Sequence, residues 1–169
     1  MYARIDPYMK NIKNVFISHH HKDDAHVDKL TSMLSKNGCQ IRNSSIRAKP
    51  ANQQRLDKGL VKDATIRRLL RMKMSWAGTV IVLVGKETHS RPWVDWEISE
   101  ASKQGKRIIG VYEEGLKDKV ELPNALKEYS TSIVDWESNS IMDAINGIAS
   151  FQNPDGSPAP RQDGPHAVC

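Results

Sequence analysis

Apolar residues form short continuous runs that alternate with longer stretches of helical spacing. The strongest run is Thr79–Val84, whose β-branched side chains are typical of a strand covered on both faces in a parallel sheet. Similar runs predict strands at 14–18, 39–42, 107–112 and 132–136. Apolar residues spaced three and four apart predict helices at 24–36, 57–74, 90–104, 122–129 and 140–149. This alternation predicts an α/β sandwich built on a parallel sheet.

Length and composition predict one globular domain with two unstructured ends. The chain has 169 residues, of which 38% are hydrophobic and 27% charged. No apolar run approaches the roughly 20 residues that span a bilayer. The two cysteines, Cys39 and Cys169, cannot build a disulfide framework. We therefore expect a cytoplasmic protein with an N-terminal arm (1–12), one domain (13–149) and a proline-rich disordered tail (150–169).

Positive charge is concentrated in residues 42–74, which carry ten basic and two acidic side chains. Such a patch is typical of a surface that binds nucleic acid, a dinucleotide or another phosphorylated ligand. A solvated helix face would give the same pattern. The sequence leaves these alternatives open, although the basic helix has no aromatic residue before Trp76 on which RNA bases could stack.

Ligands of parallel sheets bind beyond the carboxyl ends of the strands, which selects residues 18–24, 43–45 and 85–97. Three consecutive histidines at 19–21 do not predict a metal site, because adjacent side chains diverge and no other ligand has suitable spacing. They either line a polar pocket or face solvent. Asp24 is the expected N-cap of the first helix. The third strand ends without an aspartate, which argues against a phospho-receiver, and no Gly-rich phosphate-binding motif is present.

Glu97 is the strongest candidate for chemistry. It shares one helix face with Trp93 and lies beside the inward stripe formed by Val94 and Ile98. A carboxylate at the boundary of a core, next to indole rings, is poorly hydrated, and its pKa is expected to be raised. The alternative is a solvated Glu97 paired with Arg91 or Lys103, and spacing alone does not decide between the two.

These motifs resemble those of TIR domains. The first-strand box of that family is similar to residues 15–23, VFISHHHKD, and its third strand and glutamate-bearing helix are similar to residues 79–97, which end in WVDWE. Its fourth strand is similar to residues 107–111, RIIGV. The resemblance covers about residues 13–149 and is strongest to bacterial TIR-like proteins of Thoeris anti-phage systems.

The resemblance implies a flavodoxin-like three-layer sandwich with a five-stranded parallel sheet in the order 2-1-3-4-5. It also implies an enzyme of the NAD glycohydrolase or ADP-ribosyl cyclase type, with NAD as substrate and without a bound cofactor or metal. Glu97 matches the family's catalytic glutamate, which would stabilise positive charge as the nicotinamide–ribose bond breaks. The family's pocket is lined from the end of the first strand, which corresponds to Ser18, His19 and His20.

Further substrate-binding residues are expected around the same pocket. Asn43 and Ser45 fall at the start of the loop after the second strand. Trp93 or Trp96 could pack on a ring of the ligand. A cationic residue such as Arg42 or Arg47 could meet the pyrophosphate.

The resemblance also implies partners. The cleaved product would be a cyclic or conjugated ADP-ribose, a nucleotide signal for a separate effector protein in antiviral defence. Self-association and a phage-derived trigger are expected on activation, and no membrane partner is expected. The alternative is a non-catalytic TIR scaffold that signals by self-association.

Overall fold

Strand β3 lies at the centre of a five-stranded parallel sheet in the computed structural model, which describes residues 12–19, 23–43 and 63–161. The strands are β1 (Lys13–Ser18), β2 (Cys39–Asn43), β3 (Thr79–Val84), β4 (Arg107–Tyr112) and β5 (Ser132–Val134). The described helices are α1 (Asp24–Lys36), α2 (Asp63–Ser75), α3 (Pro92–Lys103), α4 (Asn124–Tyr129) and α5 (Ser138–Ile145). A 3-10 turn, Thr88–Ser90, precedes α3.

The strand order is β2-β1-β3-β4-β5, and every neighbouring pair is parallel. This confirms the predicted flavodoxin-like α/β architecture. All six residues of β3 are buried, as expected for a strand covered on both faces. Because the order reverses between β1 and β3, the carboxyl ends of these two strands flank the position where such folds bind ligands.

Two helical layers enclose the sheet. Helices α2, α3 and α4 cover one face, called here the α2–α3 face, and α1 and α5 cover the other. Side chains alternate along β1, so that Phe16 packs on the α2–α3 face while Val15 and Ile17 pack on the opposite one. The core of the α2–α3 face includes Phe16, Ile66, Leu70, Met74, Val80, Val82, Val94, Ile98 and Leu126.

The predictions made for the starts of α1 and α2 are only partly confirmed. The described part of the basic helix begins at Asp63, and the predicted residues 57–62 lie outside the described ranges. Asp24 is not the N-cap of α1: Asp23 occupies that position without a side-chain capping bond, and Asp24 is the first helical residue. The carboxylate of Asp24 lies 3.3 Å from Nε2 of His19 instead.

The segment 150–161 corrects the expectation of a disordered tail. The backbone N–H of Ile133 in β5 donates to the carbonyl of Ser150 at 2.9 Å, and the N–H of Gln152 donates to the carbonyl of Ile133 at 2.8 Å. Phe151 packs against the core of the α2–α3 face. Composition alone misses this segment because one aromatic side chain and a few backbone bonds hold it. Residues 162–169 and the predicted arm before Ile12 lie outside the described ranges.

In the part of the chain that the structure describes, no helix is both long enough and apolar enough to cross a membrane. Cys39 is a buried free thiol, and burial raises its pKa, which makes it less reactive as a nucleophile.

Candidate functional site

Ser18 ends β1 and is completely buried. It follows Phe16 by two residues, so its side chain points to the α2–α3 face, beside Val82 of β3. Its Oγ has no hydrogen-bond partner among the described residues. Buried hydroxyl groups are normally bonded, so this Oγ is available to a ligand atom at the carboxyl edge of the sheet.

Glu97 is a completely buried carboxylate on α3. Pro92 provides a favourable first helical position for α3, and Val94 and Ile98 turn the helix so that Glu97 faces inward. The expectation of a poorly hydrated carboxylate is therefore confirmed, and the solvated alternative is wrong. Arg91, one of its suggested partners, instead donates to Glu87 at 2.9 Å. A raised pKa and a catalytic role for Glu97 stay predictions.

Trp93 and Trp96 lie beside Glu97 on α3, partly buried, with ring centroids 5.7 Å apart in an edge-to-face arrangement. The guanidinium of Arg67, from α2, lies 5.5 Å from the Trp93 centroid and 5.4 Å from the Trp96 centroid. The two helices therefore place a cation, two aromatic rings and an acid on one face of the sheet. The sequence did not single out Arg67, although its position within the basic segment was a signal.

The remaining predicted residues are more dispersed. His19 is buried, which favours the interpretation that a histidine lines a polar region over the solvent-facing one. Asn43 ends β2 beside Ile17 of β1, and its backbone carbonyl accepts from Lys73 at 3.1 Å. His20 and Ser45 lie outside the described residues.

The suggested pyrophosphate ligands are not brought to Glu97 by the described contacts. The guanidinium of Arg42 packs over the indole of Trp76, 4.4 Å from its centroid, just after the C-terminal end of α2. Arg47 lies outside the described ranges. Arg67, closer to the N-terminal end of α2, is the cation that contacts the tryptophans next to Glu97.

A cavity with a volume of about 450 Å³ opens at the carboxyl edge of the sheet. Its walls come from the segments that follow β3 and β4 and from the start of α1. Val94 also lines it, one helical turn before Glu97, whereas none of the six described residues predicted from the sequence does. The lining residues are Asp23, Gly85, Lys86, Glu87, Thr88, Arg91, Val94, Glu113, Glu114, Gly115 and Leu116.

Glu113 lines this cavity with a carboxyl group whose pKa is well above its ordinary value. Its pKa is raised to about 7, first by burial and then by a hydrogen bond with Asp23 and the charge of that carboxylate. Two carboxyl groups joined by a hydrogen bond favour holding one proton between them. Sequence reasoning missed Glu113, although two acids directly after the fourth strand, Glu113 and Glu114, were the available signal.

The arrangement supplies groups that can bind and polarise a ligand. No cluster of three metal-ligating side chains occurs within residues 12–19, 23–43 and 63–161. A buried carboxylate can stabilise a developing cation, indole rings can stack on a heterocycle, and a guanidinium can bind a phosphate.

The chain is similar to proteins of a known family. A family model described as "Thoeris protein ThsB, TIR-like domain" matches residues 16–118, which include Ser18, Glu97 and Glu113. A 57-residue segment is 33% identical to "Putative cyclic ADP-D-ribose synthase ThsB1" of Bacillus cereus (strain MSX-D12). That segment is 34% of this chain and 30% of the relative, so the match spans less than a third of the relative's length.

The chain also superposes on two solved structures. Clostridium botulinum CMP N-glycosidase, BcmB, superposes with a TM-score of 0.49 and 17% identity over 79% of this chain and 99% of that chain. A protein of Enterococcus faecalis V583 superposes with a TM-score of 0.42 and 11% identity over 63% of this chain and 67% of that chain.

Proposed function

Because the chain belongs to the family of TIR-like domains of the Thoeris protein ThsB, we propose that it is an enzyme of anti-phage defence that cleaves NAD. The bond that breaks joins nicotinamide to ribose. The product is a cyclic or conjugated ADP-ribose that signals to a separate effector. The name of the B. cereus relative, "Putative cyclic ADP-D-ribose synthase ThsB1", supports this class of product.

The burial of Glu97 is the observation that carries the proposal. Its carboxylate is completely shielded from solvent, yet it lies on a helix whose adjacent turn reaches the cavity at Val94. A buried carboxylate interacts with a nearby cation more strongly than an exposed one does, because water screens its charge less. A cationic transition state beside Glu97 uses that charge, and it is stabilised more strongly in a dry site than in water.

The reaction follows from this electrostatics. The C1′–N bond of NAD breaks with both electrons going to nicotinamide, which leaves as a neutral molecule. The ribose becomes an oxocarbenium-like cation, and Glu97 stabilises it near the ring oxygen and hydroxyls. A nucleophile then attacks C1′ and releases one proton to solvent. An adenine nitrogen of the same molecule gives a cyclic product, water gives ADP-ribose, and a second molecule gives a conjugate.

Other residues assist by position. Ser18 places a buried hydroxyl on the same sheet face, where it can bond a ribose hydroxyl. Trp93 and Trp96 present ring faces and edges on which nicotinamide or adenine can pack. His19, held by Asp24, borders Ser18 at the end of β1.

The decisive experiment is incubation of the full chain with NAD, with and without phage lysate, followed by mass spectrometry of the products. Wild type is compared with Glu97→Gln, which keeps the shape of the side chain and removes its charge. We expect turnover to fall at least about a hundredfold in this variant, as when one transition-state charge contact is lost.

Glu137→Gln is the matched control, because Glu137 is an exposed acid that precedes α5 on the opposite face of the sheet. We expect it to turn over NAD like wild type. Undiminished turnover in Glu97→Gln would reject the role of this carboxylate. Wild type that consumes no NAD under any trigger would favour the non-catalytic scaffold.

A further inference from the structure

Arg67 is held between helices α2 and α3 by two indole rings. Its guanidinium lies 5.5 Å from the Trp93 centroid and 5.4 Å from the Trp96 centroid. Its Nε is buried and has no hydrogen-bond partner within the described ranges. Cation–π contacts fix the plane of the guanidinium, but they do not satisfy its N–H donors.

Arg71, one turn further along α2, shows the contrast. It also lies over Trp96, at 5.5 Å, but its Nε donates to Oε1 of Glu100 at 3.0 Å. The charge of Arg71 is therefore compensated inside the protein. Arg67 makes no such ion pair within 4.0 Å in the part of the chain that the structure describes.

The position of Arg67 matches the geometry of a dinucleotide. It packs on Trp93, which precedes Glu97 by four residues on α3, a rise of about 6 Å. In NAD, the nicotinamide ribose is joined to the diphosphate through a single methylene group. A cation that packs on the two tryptophans beside the carboxylate that faces this ribose is therefore a suitable partner for the phosphates.

We propose that Arg67 is the substrate-binding residue that recognises the diphosphate of a dinucleotide, pre-oriented by Trp93 and Trp96. This inference rests on the proposed function and names the substrate class of the same site. A planar guanidinium bonds two phosphate oxygens at once, which a lysine ammonium cannot do. Stacking on the indoles removes the rotamer freedom that an exposed arginine would lose on binding.

Binding of ADP-ribose to the full chain, measured by titration calorimetry at two salt concentrations, tests the proposal. Arg67→Met keeps most of the side-chain volume and removes the charge. We expect it to weaken ADP-ribose binding about tenfold to a hundredfold, the usual range for a charge-assisted contact, and to flatten the salt dependence. In NAD turnover it raises KM and leaves kcat nearly unchanged, because the contact exists before and during bond cleavage.

Arg68→Met is the matched control, since Arg68 is the exposed neighbour on the same helix. It should bind ADP-ribose like wild type. Arg67→Lys keeps the charge and should lose affinity only partly, and it carries the test if Arg67→Met does not fold. Folding is checked by circular dichroism.

The possible outcomes distinguish failure of the Arg67 proposal from failure of the proposed NAD cleavage. Equal affinity of wild type and a folded Arg67→Met, or equal losses in Arg67→Met and Arg68→Met, overturns the role of Arg67 and leaves NAD cleavage standing. Wild type that neither binds ADP-ribose nor cleaves NAD overturns the proposed function and this inference with it.

Discussion

The carboxyl group of Glu113 lies directly against the α-carbon of Gly85. A Cβ placed at Gly85 would come within 2.4 Å of Oε1 and 2.7 Å of Oε2 of Glu113, closer than any real contact of that kind. The absence of a side chain at the end of β3 therefore creates the space in which Glu113 reaches Asp23. The position of the Glu113 carboxyl group in the cavity wall therefore depends on glycine at position 85.

Gly85→Ala is expected to displace the Glu113 carboxylate from Asp23. The clash is with the far end of a flexible side chain, so the side chain turns away and the free energy of unfolding falls by only about 1–2 kcal/mol. The pKa of Glu113 should move back toward its ordinary value. Carboxyl chemical shifts in an NMR titration measure that pKa, and an unchanged titration would contradict the described packing.

The stability of the protein is expected to fall as the pH rises from about 4.5 to about 7, the interval between the ordinary pKa of Glu113 and its raised value. Across it, the folded chain holds a proton at Glu113 that the unfolded chain has released. After discounting for solvent screening, we expect an effect of about 1–2 kcal/mol. Urea denaturation at several pH values measures it.

Glu113→Gln should remove this dependence, because the amide stays neutral at every pH. It should be more stable than wild type at pH 8 and similar to it at pH 4. Glu114→Gln is the control: Glu114 is an exposed acid whose pKa is lowered by its hydrogen bond with Lys29, at 2.6 Å. Stabilisation of Glu114→Gln at pH 8 would show that the effect is not specific to Glu113.

The ion pair between Arg71 and Glu100 is expected to couple α2 to α3 by about 1 kcal/mol, since Glu100 is only 11% exposed but Arg71 is 48% exposed. A double-mutant cycle with Arg71→Met and Glu100→Gln measures this coupling. The Arg91–Glu87 pair, with 31% and 69% exposed side chains, is the reference and should couple by less than about 0.5 kcal/mol. A larger value for the reference pair would contradict this ranking.

Removal of residues 150–161 is expected to destabilise the domain. A chain that ends at residue 149 loses two backbone bonds to Ile133 and the packing of Phe151, a loss of about 2–4 kcal/mol. The reference is a chain that ends at residue 161, which keeps every described contact of this segment. Equal melting temperatures of the two chains would restore the expectation of a disordered tail.

Much of the fold was predictable because local pattern and burial agree. Thr79–Val84 and Arg107–Tyr112 coincide with their predicted strands, since continuous β-branched and apolar runs are stable only between two helical layers. The predicted helix at 24–36 also coincides with α1. The ordering of Phe151 was not predictable, because it depends on contact with β5 and not on local composition.

The candidate site was predictable in part. Helical spacing reveals the place of Glu97 beside the stripe of Val94 and Ile98, whereas its complete burial is established only by the packing of α3 on the sheet. Arg67 and Glu113 were missed because the environment of each side chain is set by residues distant in sequence. Arg67 needs the indoles of α3, and Glu113 needs the space above Gly85.

The short segment that follows α5 also shields one border of the sheet. Ile133 already uses its outward N–H and carbonyl for Ser150 and Gln152, so a strand from another molecule finds no free backbone partner at this residue. β5 itself is only three residues long. Strand addition between copies is therefore disfavoured at this position of the β5 border.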